Sequence, residues 1–267
     1  MLSFQKVKKT YGKRVAVNHL DLHVKEGACF GLLGPNGAGK STMMKLIAGI
    51  IEQDEGKIMV MGLDVKKHIK EIQQKIGYVP QSITLYEELS AIDNLQFFGE
   101  LAGVTGKRLK ERIDDVLAKT GLSDRGKDEV RTYSGGMKRR INIAAALLHQ
   151  PKLLILDEPT VGIDPQSRNL IFELIRELHK QGMTIIYSTH YMEEVEALCD
   201  EIAIIDNGNV TATGELDELL AKHTKPSVYI ESPQLLETPV LPTAVTVVKQ
   251  GNGWRIETEE LLATMQY

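Results

Sequence analysis

The stretch Gly34-Pro-Asn-Gly-Ala-Gly-Lys40-Ser41-Thr42 fits the phosphate-binding pattern G-x-x-x-x-G-K-[ST]. The apolar run 28–33 before it predicts a buried strand, and residues 43–51 after it favour a helix. Glycines let the backbone approach phosphate oxygens closely, and backbone N–H groups at a helix start attract anions. A chance match in a chain of this length is on the order of one in a hundred. We therefore expect a nucleotide phosphate site here.

Two side chains at the end of this stretch carry most of its chemistry. Lys40 supplies a point charge for the β- and γ-phosphates, and the Ser41 hydroxyl is a ligand for Mg²⁺. The glycines make room for the phosphates. We assign phosphate binding to Gly34, Asn36, Gly37, Ala38, Gly39, Lys40, Ser41 and Thr42.

The composition is that of an ordinary globular protein, with 267 residues, 25% of them charged and 42% hydrophobic. A formal net charge of -4 argues against a nucleic-acid partner. Cys29 and Cys199 suit a reducing compartment and are interpreted as small buried hydrophobic residues. The chain shows no secretory signal and no apolar run near the roughly 20 residues that cross a bilayer, so we expect a soluble chain whose membrane role requires another polypeptide.

The pattern of apolar residues changes several times along the chain. Residues 1–33 predict short antiparallel strands that lead into the phosphate loop. Residues 90–149 are helical in pattern, with Ile92, Leu95, Phe98, Leu101 and Ala102 on one face and Leu109, Ile113, Val116 and Leu117 on another. Further elements are expected as strands at 57–61, 76–80, 152–156 and 183–188, helices at 165–180 and 192–198, and a hairpin at 201–212. After 221 we expect a linker at 222–226, a hairpin at 245–257 and a helix at 259–265.

Polar side chains follow several of the expected strands and form the second half of the site. Asp157 and Glu158 end an apolar strand, where they suit Mg²⁺ binding and proton acceptance from an attacking water. His190 and Gln81 also follow strands. Ligands gather at the carboxyl ends of the strands in an open parallel sheet, so we expect these residues near Lys40. Taken alone, each fits a solvated turn or surface position equally well.

A second helix start lies at Ser134-Gly135-Gly136, before the alanine-rich stretch 141–148. It is able to bind phosphate, although a plain helix N-cap is the better interpretation locally. One nucleotide does not need two phosphate-binding helix ends from one chain. We therefore expect these three residues to serve a nucleotide bound to a second copy.

These motifs, in this order over roughly residues 1–220, resemble the nucleotide-binding subunit of an ATP-binding cassette (ABC) transporter. Within that resemblance, residues 34–42 are the Walker A loop and Asp157 and Glu158 are the Walker B aspartate and catalytic glutamate. The remaining correspondences are Tyr11 as the adenine-stacking aromatic, Gln81 as the Q-loop glutamine, 133–137 as the signature, Asp164 in the D-loop and His190 as the switch histidine. Val17 is expected to line the same pocket as Tyr11.

The resemblance also implies a fold and a division into domains. The fold is α/β, a P-loop NTPase core with an antiparallel β subdomain, an inserted helical subdomain at about 82–150 and a small α+β C-terminal appendage. The nucleotide-binding domain spans 1–221, and the accessory region spans 222–267. Tyr133 and Met137 depart from the usual LSGGQ signature, and 137–140 and 85–98 resemble the branch that exports drugs, antibiotics and ions through ABC-2 type membrane partners.

The function that the resemblance implies is ATP binding and hydrolysis that powers transport, in the direction of export. Two copies form a head-to-tail homodimer with two ATP molecules and Mg²⁺ at the interface. Glu158, His190 and Gln81 are the catalytic residues, and Ser41, Gln81 and Asp157 hold the metal. Separate transmembrane permease subunits contact the region 86–98 and hold the chain at the cytoplasmic face of the membrane.

Two alternatives remain open at this point. One is a soluble ABC ATPase in assembly or regulation without a membrane partner, and the other is a nucleotide-gated binding module that hardly hydrolyses. Intact Glu158 and His190 argue against the second. The sequence identifies neither the transported molecule nor the role of residues 222–267.

Overall fold

The computed structural model describes residues 1–223, 227–230, 246–250 and 253–257. The chain divides into two compact units, Met1–Leu216 and Asp217–Tyr267. The division follows Leu216, the first residue of a helix that runs to His223 and includes the expected boundary at 221.

The larger unit contains ten strands and seven α-helices among its described residues. The strands are β1 (Leu2–Tyr11), β2 (Arg14–Val24), β3 (Cys29–Leu33), β4 (Glu55–Val60), β5 (Leu63–Asp64), β6 (Ile76–Val79), β7 (Leu153–Asp157), β8 (Thr184–Thr189), β9 (Glu201–Asp206) and β10 (Asn209–Glu215). The helices are α1 (Lys40–Ile47), α2 (Val65–Gln73), α3 (Ala91–Leu101), α4 (Gly106–Lys119), α5 (Gly135–Leu147), α6 (Pro165–Lys180) and α7 (Met192–Leu198).

A largely parallel sheet with the strand order β10-β9-β3-β8-β7-β6 forms the centre of this unit. β3 lies between β8 and β9 and runs parallel to both, while β10 closes the sheet as an antiparallel hairpin with β9. Every residue of β7 and β8 is buried, as expected for strands that are covered on both faces. The carboxyl ends of β3, β6, β7 and β8 therefore meet at one edge.

A second sheet, in the order β2-β1-β4-β5, is antiparallel throughout. Its inward side chains, among them Phe4, Val17 and Ile58, join Met43 of α1 and Leu32 of β3 in one hydrophobic core. This sheet is the expected antiparallel subdomain, and the core that it shares with α1 fixes the helix against β3.

Helices α3, α4 and α5 form the expected helical insertion between β6 and β7. Leu109, Ile113, Val116 and Leu117 are buried, as predicted for α4. The predicted face of α3 is wrong at its end, since Leu101 is 74% exposed and Ala102 is also exposed. The fully buried positions of α3 are Ala91, Asn94, Leu95 and Gly99.

This error on α3 has a physical reason. Asn94, a polar residue, lies on the buried face because its side chain bonds to both the backbone N–H and the carbonyl of Tyr86, at 2.8 and 2.9 Å. A prediction of the buried face of α3 from apolar residues alone therefore includes Leu101 and omits Asn94.

The tip of the β9–β10 hairpin is bonded to two other parts of the unit. The N–H of Gly208 donates to the carbonyl of Ala38 in the phosphate loop at 2.9 Å. Its own carbonyl accepts from the N–H of Asn18 on β2 at 2.9 Å, and the side chains of Asn18 and Asn209 bond at 3.1 Å. The tip thus connects the phosphate loop to the antiparallel sheet.

The smaller unit contains a sheet in the order β11-β13-β12, all antiparallel, with the helix α8 (Leu216–His223) before it. Its strands are β11 (Ser227–Ile230), β12 (Thr246–Gln250) and β13 (Gly253–Glu257). The expected hairpin at 245–257 is confirmed by the pairing of β12 with β13. The linker expected at 222–226 begins inside α8, and the helix expected at 259–265 lies outside the described residues. Within the described ranges, each helix is too short or too polar to cross a membrane.

Candidate nucleotide site

The phosphate loop connects the end of β3 to α1, which begins at Lys40 with Gly39 as its N-cap residue. Gly39 has a φ of 114°, and a Cβ there would lie 2.3 Å from the carbonyl oxygen of Ala16. A Cβ on Gly34 would lie 2.1 Å from the carbonyl oxygen of Ile205. Both positions therefore require glycine. Because α1 begins three residues earlier than the expected Met43, Lys40, Ser41 and Thr42 form its first turn.

A cavity of about 520 Å³ opens beside this loop. It brings together loop residues, the aromatic at the end of β1 and two of the predicted catalytic residues. The lining residues are Tyr11, Arg14, Ala16, Asn36, Gly37, Gly39, Lys40, Ser41, Thr42, Gln81 and Glu158.

Three residues predicted to bind the nucleotide of their own chain, Val17, Gly34 and Ala38, do not line the cavity. Val17 is fully buried in the hydrophobic core, because side chains alternate along β2 and its neighbour Ala16 takes the position on the cavity. Ala38 is also buried, and its carbonyl bonds to Gly208. The prediction that Val17 contacts the nucleotide is therefore wrong.

The ammonium of Lys40 is bonded within its own loop and to Glu158. Its Nζ donates to the carbonyl oxygens of Gly34 and Pro35 at 2.6 and 3.1 Å. It also lies 3.2 Å from Oε1 of Glu158, and both side chains are almost fully buried. A buried positive charge at the start of a helix provides a strong attraction for phosphate.

Glu158 is the point where the predicted catalytic residues converge. Its Oε2 accepts from the amide of Gln81 at 3.0 Å, and its Oε1 lies 3.7 Å from Nδ1 of His190. Its φ is 47°, an uncommon conformation for a residue other than glycine that costs roughly 1–3 kcal/mol. Its backbone N–H donates to the Ser188 hydroxyl at 3.0 Å, which helps to hold this conformation.

Asp157 lies just behind Glu158 at the end of β7. Its Oδ1 accepts from the hydroxyls of Ser41 at 3.0 Å and Ser188 at 2.9 Å. Burial raises the pKa of Asp157, and the two hydroxyl bonds act in the opposite direction. The hydroxyl, carboxylate and amide oxygens of Ser41, Asp157 and Gln81 are the hard donors that Mg²⁺ prefers.

The described residues hold no cluster of three or more histidine, cysteine or acidic side chains that would bind a metal unaided.

A family model described as ABC transporter matches residues 17–161. The chain belongs to the ABC transporter family. Among curated relatives, the linearmycin resistance ATP-binding protein LnrL of Bacillus subtilis is 52% identical over 83% of this chain and 71% of its own length. The daunorubicin resistance ATP-binding protein DrrA3 of Streptomyces coeruleorubidus is 41% identical over 80% of this chain and 68% of its own. The Nod factor export ATP-binding protein I of Cupriavidus metallidurans is 42% identical over 82% of this chain and 73% of its own length, and together the three relatives confirm the resemblance to the branch of resistance and export proteins.

Solved ABC cassettes share the fold. The cassette MJ0796, in a dimeric post-hydrolysis state bound to ADP and Pi, superposes with a TM-score of 0.74 and 26% identity over 81% of this chain and 99% of its own. The cassette cbiO1 of Clostridium perfringens superposes with a TM-score of 0.75 and 30% sequence identity. The match covers 83% of this chain and 90% of cbiO1. The chain is thus an ABC ATPase, an ATP-binding and ATP-hydrolysing subunit with a P-loop NTPase fold.

Ser134, Gly135, Gly136 and Asp164, which the sequence predicts for the signature and the D-loop, are not among the residues that line the cavity. Ser134 caps α5 by accepting from the N–H of Met137 at 3.3 Å, and both Ser134 and Gly135 are exposed. A Cβ on Gly136 would lie 2.2 Å from the Ser167 side chain. Asp164 caps α6 through the N–H of Ser167 at 2.9 Å, and this bond lowers the pKa of its carboxyl.

Sequence reasoning missed Arg14 and Ser188. Arg14 lines the cavity and donates to the carbonyl of Gly37 at 2.6 Å, and its place beside Tyr11 in the β1–β2 turn was the available signal. Ser188 pairs with Asp157 in the register of β7 and β8. Its proximity to His190 in the sequence was a weaker signal, since only the register shows that it faces the acidic residues.

Proposed function

We propose that this ABC ATPase binds MgATP in the cavity beside residues 34–42 and hydrolyses it within a pair of identical copies, to power export through separate membrane subunits. The observation that carries the proposal is the convergence of Lys40, Gln81 and His190 on the buried carboxylate of Glu158 at the edge of one cavity. These groups are the expected partners of a γ-phosphate and an attacking water.

The phosphate-binding role belongs to the loop and the first turn of α1. Asn36, Gly37, Gly39, Lys40 and Thr42 all line the cavity, and we assign the backbone N–H groups and side chains there to the phosphates. The ring of Tyr11 is 48% exposed and forms another wall, where it is free to stack on adenine.

The acidic residues and their neighbours have separate roles in the proposed reaction. Ser41, Gln81 and Asp157 would hold Mg²⁺, which supplies charge neutralisation for the phosphates when bound. Glu158 polarises the attacking water and accepts its proton, and His190 orients that carboxylate. No covalent intermediate is needed, because phosphoryl transfer depends mainly on positioning and electrostatics.

The exposed start of α5 supports the proposed homodimer. Ser134 and Gly135 are exposed and do not line the cavity of their own chain, and a helix N-terminus of this kind attracts the γ-phosphate of a second copy. We assign Ser134, Gly135, Gly136 and Asp164 to this second nucleotide. The dimeric structure of MJ0796 supports the arrangement.

An exposed aromatic cluster supports a membrane partner. Tyr86 and Phe97 are 49% and 43% exposed, and their rings lie 5.2 Å apart at right angles. Exposed apolar side chains that adjoin one another indicate a docking surface. We place the permease here and the chain at the cytoplasmic face of the membrane, in an export role like the one named for the Nod factor export ATP-binding proteins.

Glu158→Gln tests the ATPase and dimer proposals together. We expect the variant to bind MgATP, to lose roughly 100-fold or more in turnover because the proton acceptor is gone, and to elute as a dimer in size-exclusion chromatography. The double variant Lys40→Ala/Glu158→Gln should stay monomeric, because it lacks the charge that binds phosphate. A Glu158→Gln protein that stays monomeric with full turnover would contradict both proposals.

Co-purification tests the transport proposal separately. A multi-span membrane protein that co-purifies with the chain, and is lost in Tyr86→Ser/Phe97→Ser, supports a transporter. Retention of ATPase activity by a chain that captures no membrane protein favours the soluble assembly or regulatory ATPase instead.

A further inference from the structure

A buried carboxylate on α7 connects the two loops that carry Glu158 and His190. Glu194 is 2% exposed and lies in the first turn of α7, four residues after His190. Among the described residues, three hydroxyl groups donate to it. They are Thr160 to Oε1 at 2.7 Å, and Tyr187 and Thr189 to Oε2 at 2.9 and 2.7 Å.

This set of bonds is what allows a carboxylate to be buried there. A buried charged group is unfavourable unless hydrogen bonds replace its hydration. The three hydroxyls bond to both oxygens of Glu194, and the hydroxyls of Thr160 and Tyr187 also lie 3.2 Å apart. Removal of the carboxylate would leave three hydroxyls to find other partners.

The donors come from the two segments that the reaction needs to align. Thr160 follows Glu158 by two residues, so its bond fixes the loop that leaves the strained position of Glu158. Thr189 precedes His190, and its Oγ1 also accepts from the N–H of Tyr191 at 3.0 Å. The backbone on both sides of His190 is therefore held by the same hydroxyl.

We infer that Glu194 is a positioning residue for ATP hydrolysis, which holds Glu158 and His190 in register by binding Thr160 and Thr189 with one carboxylate. The inference rests on the proposed roles of Glu158 and His190. Glu194 itself does not line the nucleotide cavity, so it acts on turnover rather than on nucleotide binding.

The expected effect follows from the 3.7 Å separation of Glu158 and His190, which a small shift of either loop would change. Misplacement of reacting groups by about 1 Å costs on the order of 100-fold in rate. Glu194→Gln keeps the shape of the side chain but removes its charge and replaces one acceptor oxygen with an NH2 donor, so the hydroxyl that faces this NH2 can no longer donate to the side chain.

The experiment compares the steady-state ATPase activity of wild type, Glu194→Gln and the control Glu193→Gln, all as full-length protein. We expect kcat of Glu194→Gln to fall about 10- to 100-fold while KM for ATP stays within about twofold. Glu193 is exposed on the same turn of α7, and its variant should match wild type. An unchanged kcat in Glu194→Gln, or a raised KM at constant kcat, would overturn the inference.

A second pair of variants tests whether a loss of kcat comes from misfolding rather than from the missing hydrogen bond. Thr160→Val removes the hydroxyl with little change of shape and should lower kcat, whereas Thr160→Ser keeps the hydroxyl and should restore it. Adding Thr160→Val to Glu194→Gln should cost no more than Glu194→Gln alone, because residues that share one bond are not additive. If Thr160→Ser is as impaired as Thr160→Val, the hydroxyl bond is not responsible and the inference is wrong.

The outcomes also separate this inference from the proposed function. Glu158→Gln tests the proposed chemistry, and its retention of full activity would remove that chemistry whatever Glu194 does. A normal response of Glu158→Gln together with wild-type kinetics in Glu194→Gln and Thr160→Val leaves the proposed function standing and removes the positioning role.

Discussion

Ser188 shows how one hydroxyl serves both acidic residues of the nucleotide site. It donates to Oδ1 of Asp157 at 2.9 Å and accepts from the backbone N–H of Glu158 at 3.0 Å. Its side chain is fully buried, so no water replaces it easily. The hydroxyl therefore stabilises the carboxylate and the left-handed backbone at the same time.

Ser188→Ala should weaken both functions of that hydroxyl. A buried N–H at Glu158 that lacks its partner costs about 1–3 kcal/mol, and we expect a fall of turnover of roughly tenfold with a lower thermal unfolding midpoint. ATPase assays and thermal unfolding measure the two effects. Wild-type turnover in Ser188→Ala would show that the end of β7 holds Glu158 in place without this hydroxyl.

Individual site residues differed in how well the sequence predicted them. The loop 34–42 and the Asp157-Glu158 pair are local patterns whose chemistry depends on neighbours in the chain, so they were predictable. The prediction for Val17 was wrong because neighbouring residues of β2 face opposite sides of the sheet, so that Ala16 lines the cavity and Val17 lies in the core. Ser188 and Glu194 act through the pairing of β7 with β8 and the packing of α7, which no local pattern encodes.

At the scale of elements, α5 connects the predicted signature residues to Gln81. The helix begins after Ser134, and one turn later the guanidinium of Arg139, which is almost fully buried, donates to the carbonyls of Pro80 at 2.7 Å and of Gln81. Burial lowers the pKa of Arg139, and the field of Asp157 opposes that shift. The position of Gln81 thus depends on a helix distant in sequence.

Arg139→Met should loosen the segment after β6. The two carbonyls lose their donor, which costs about 1–3 kcal/mol, equivalent to a fall in unfolding midpoint of roughly 2–10 °C. Turnover should fall as well, because the Gln81 amide contacts Glu158. Lys138→Met is the matched control, since Lys138 pairs with the exposed Glu87 and such pairs contribute little. Equal midpoints for the two variants would refute this role.

The elements themselves were largely predictable, and their faces less so. Proline after Asp164 favours the start of a helix, and Asn207-Gly208 favours a tight turn between two strands. The structure has a helix that begins at Pro165 and a hairpin at Asn207-Gly208. On α3, by contrast, the burial of Asn94 depends on its bonds to Tyr86, a tertiary effect that outweighs periodicity.

At the scale of the whole molecule, the larger unit has a complete hydrophobic core of its own. Every residue that lines the nucleotide cavity belongs to that unit. A domain with its own core is able to fold alone. The ATPase function should therefore not require the strands β11 to β13.

A protein that ends at residue 223 tests this. We expect it to fold cooperatively and to hydrolyse ATP within about twofold of the full-length rate, because its core is intact. Circular dichroism on heating and steady-state ATPase assays are sufficient, with full-length protein as the control. A truncated protein that is unfolded or inactive would show that residues after 223 stabilise the larger unit.

The hairpin tip at Asn207-Gly208 has a practical consequence for anyone who modifies this protein. Exposed tips with small polar residues usually tolerate an epitope tag or a fluorescent label. Here Gly208 is bonded to Ala38 on one side and to Asn18 on the other. A label at this tip would pull on the backbone of the phosphate loop, so reporters belong elsewhere on the surface.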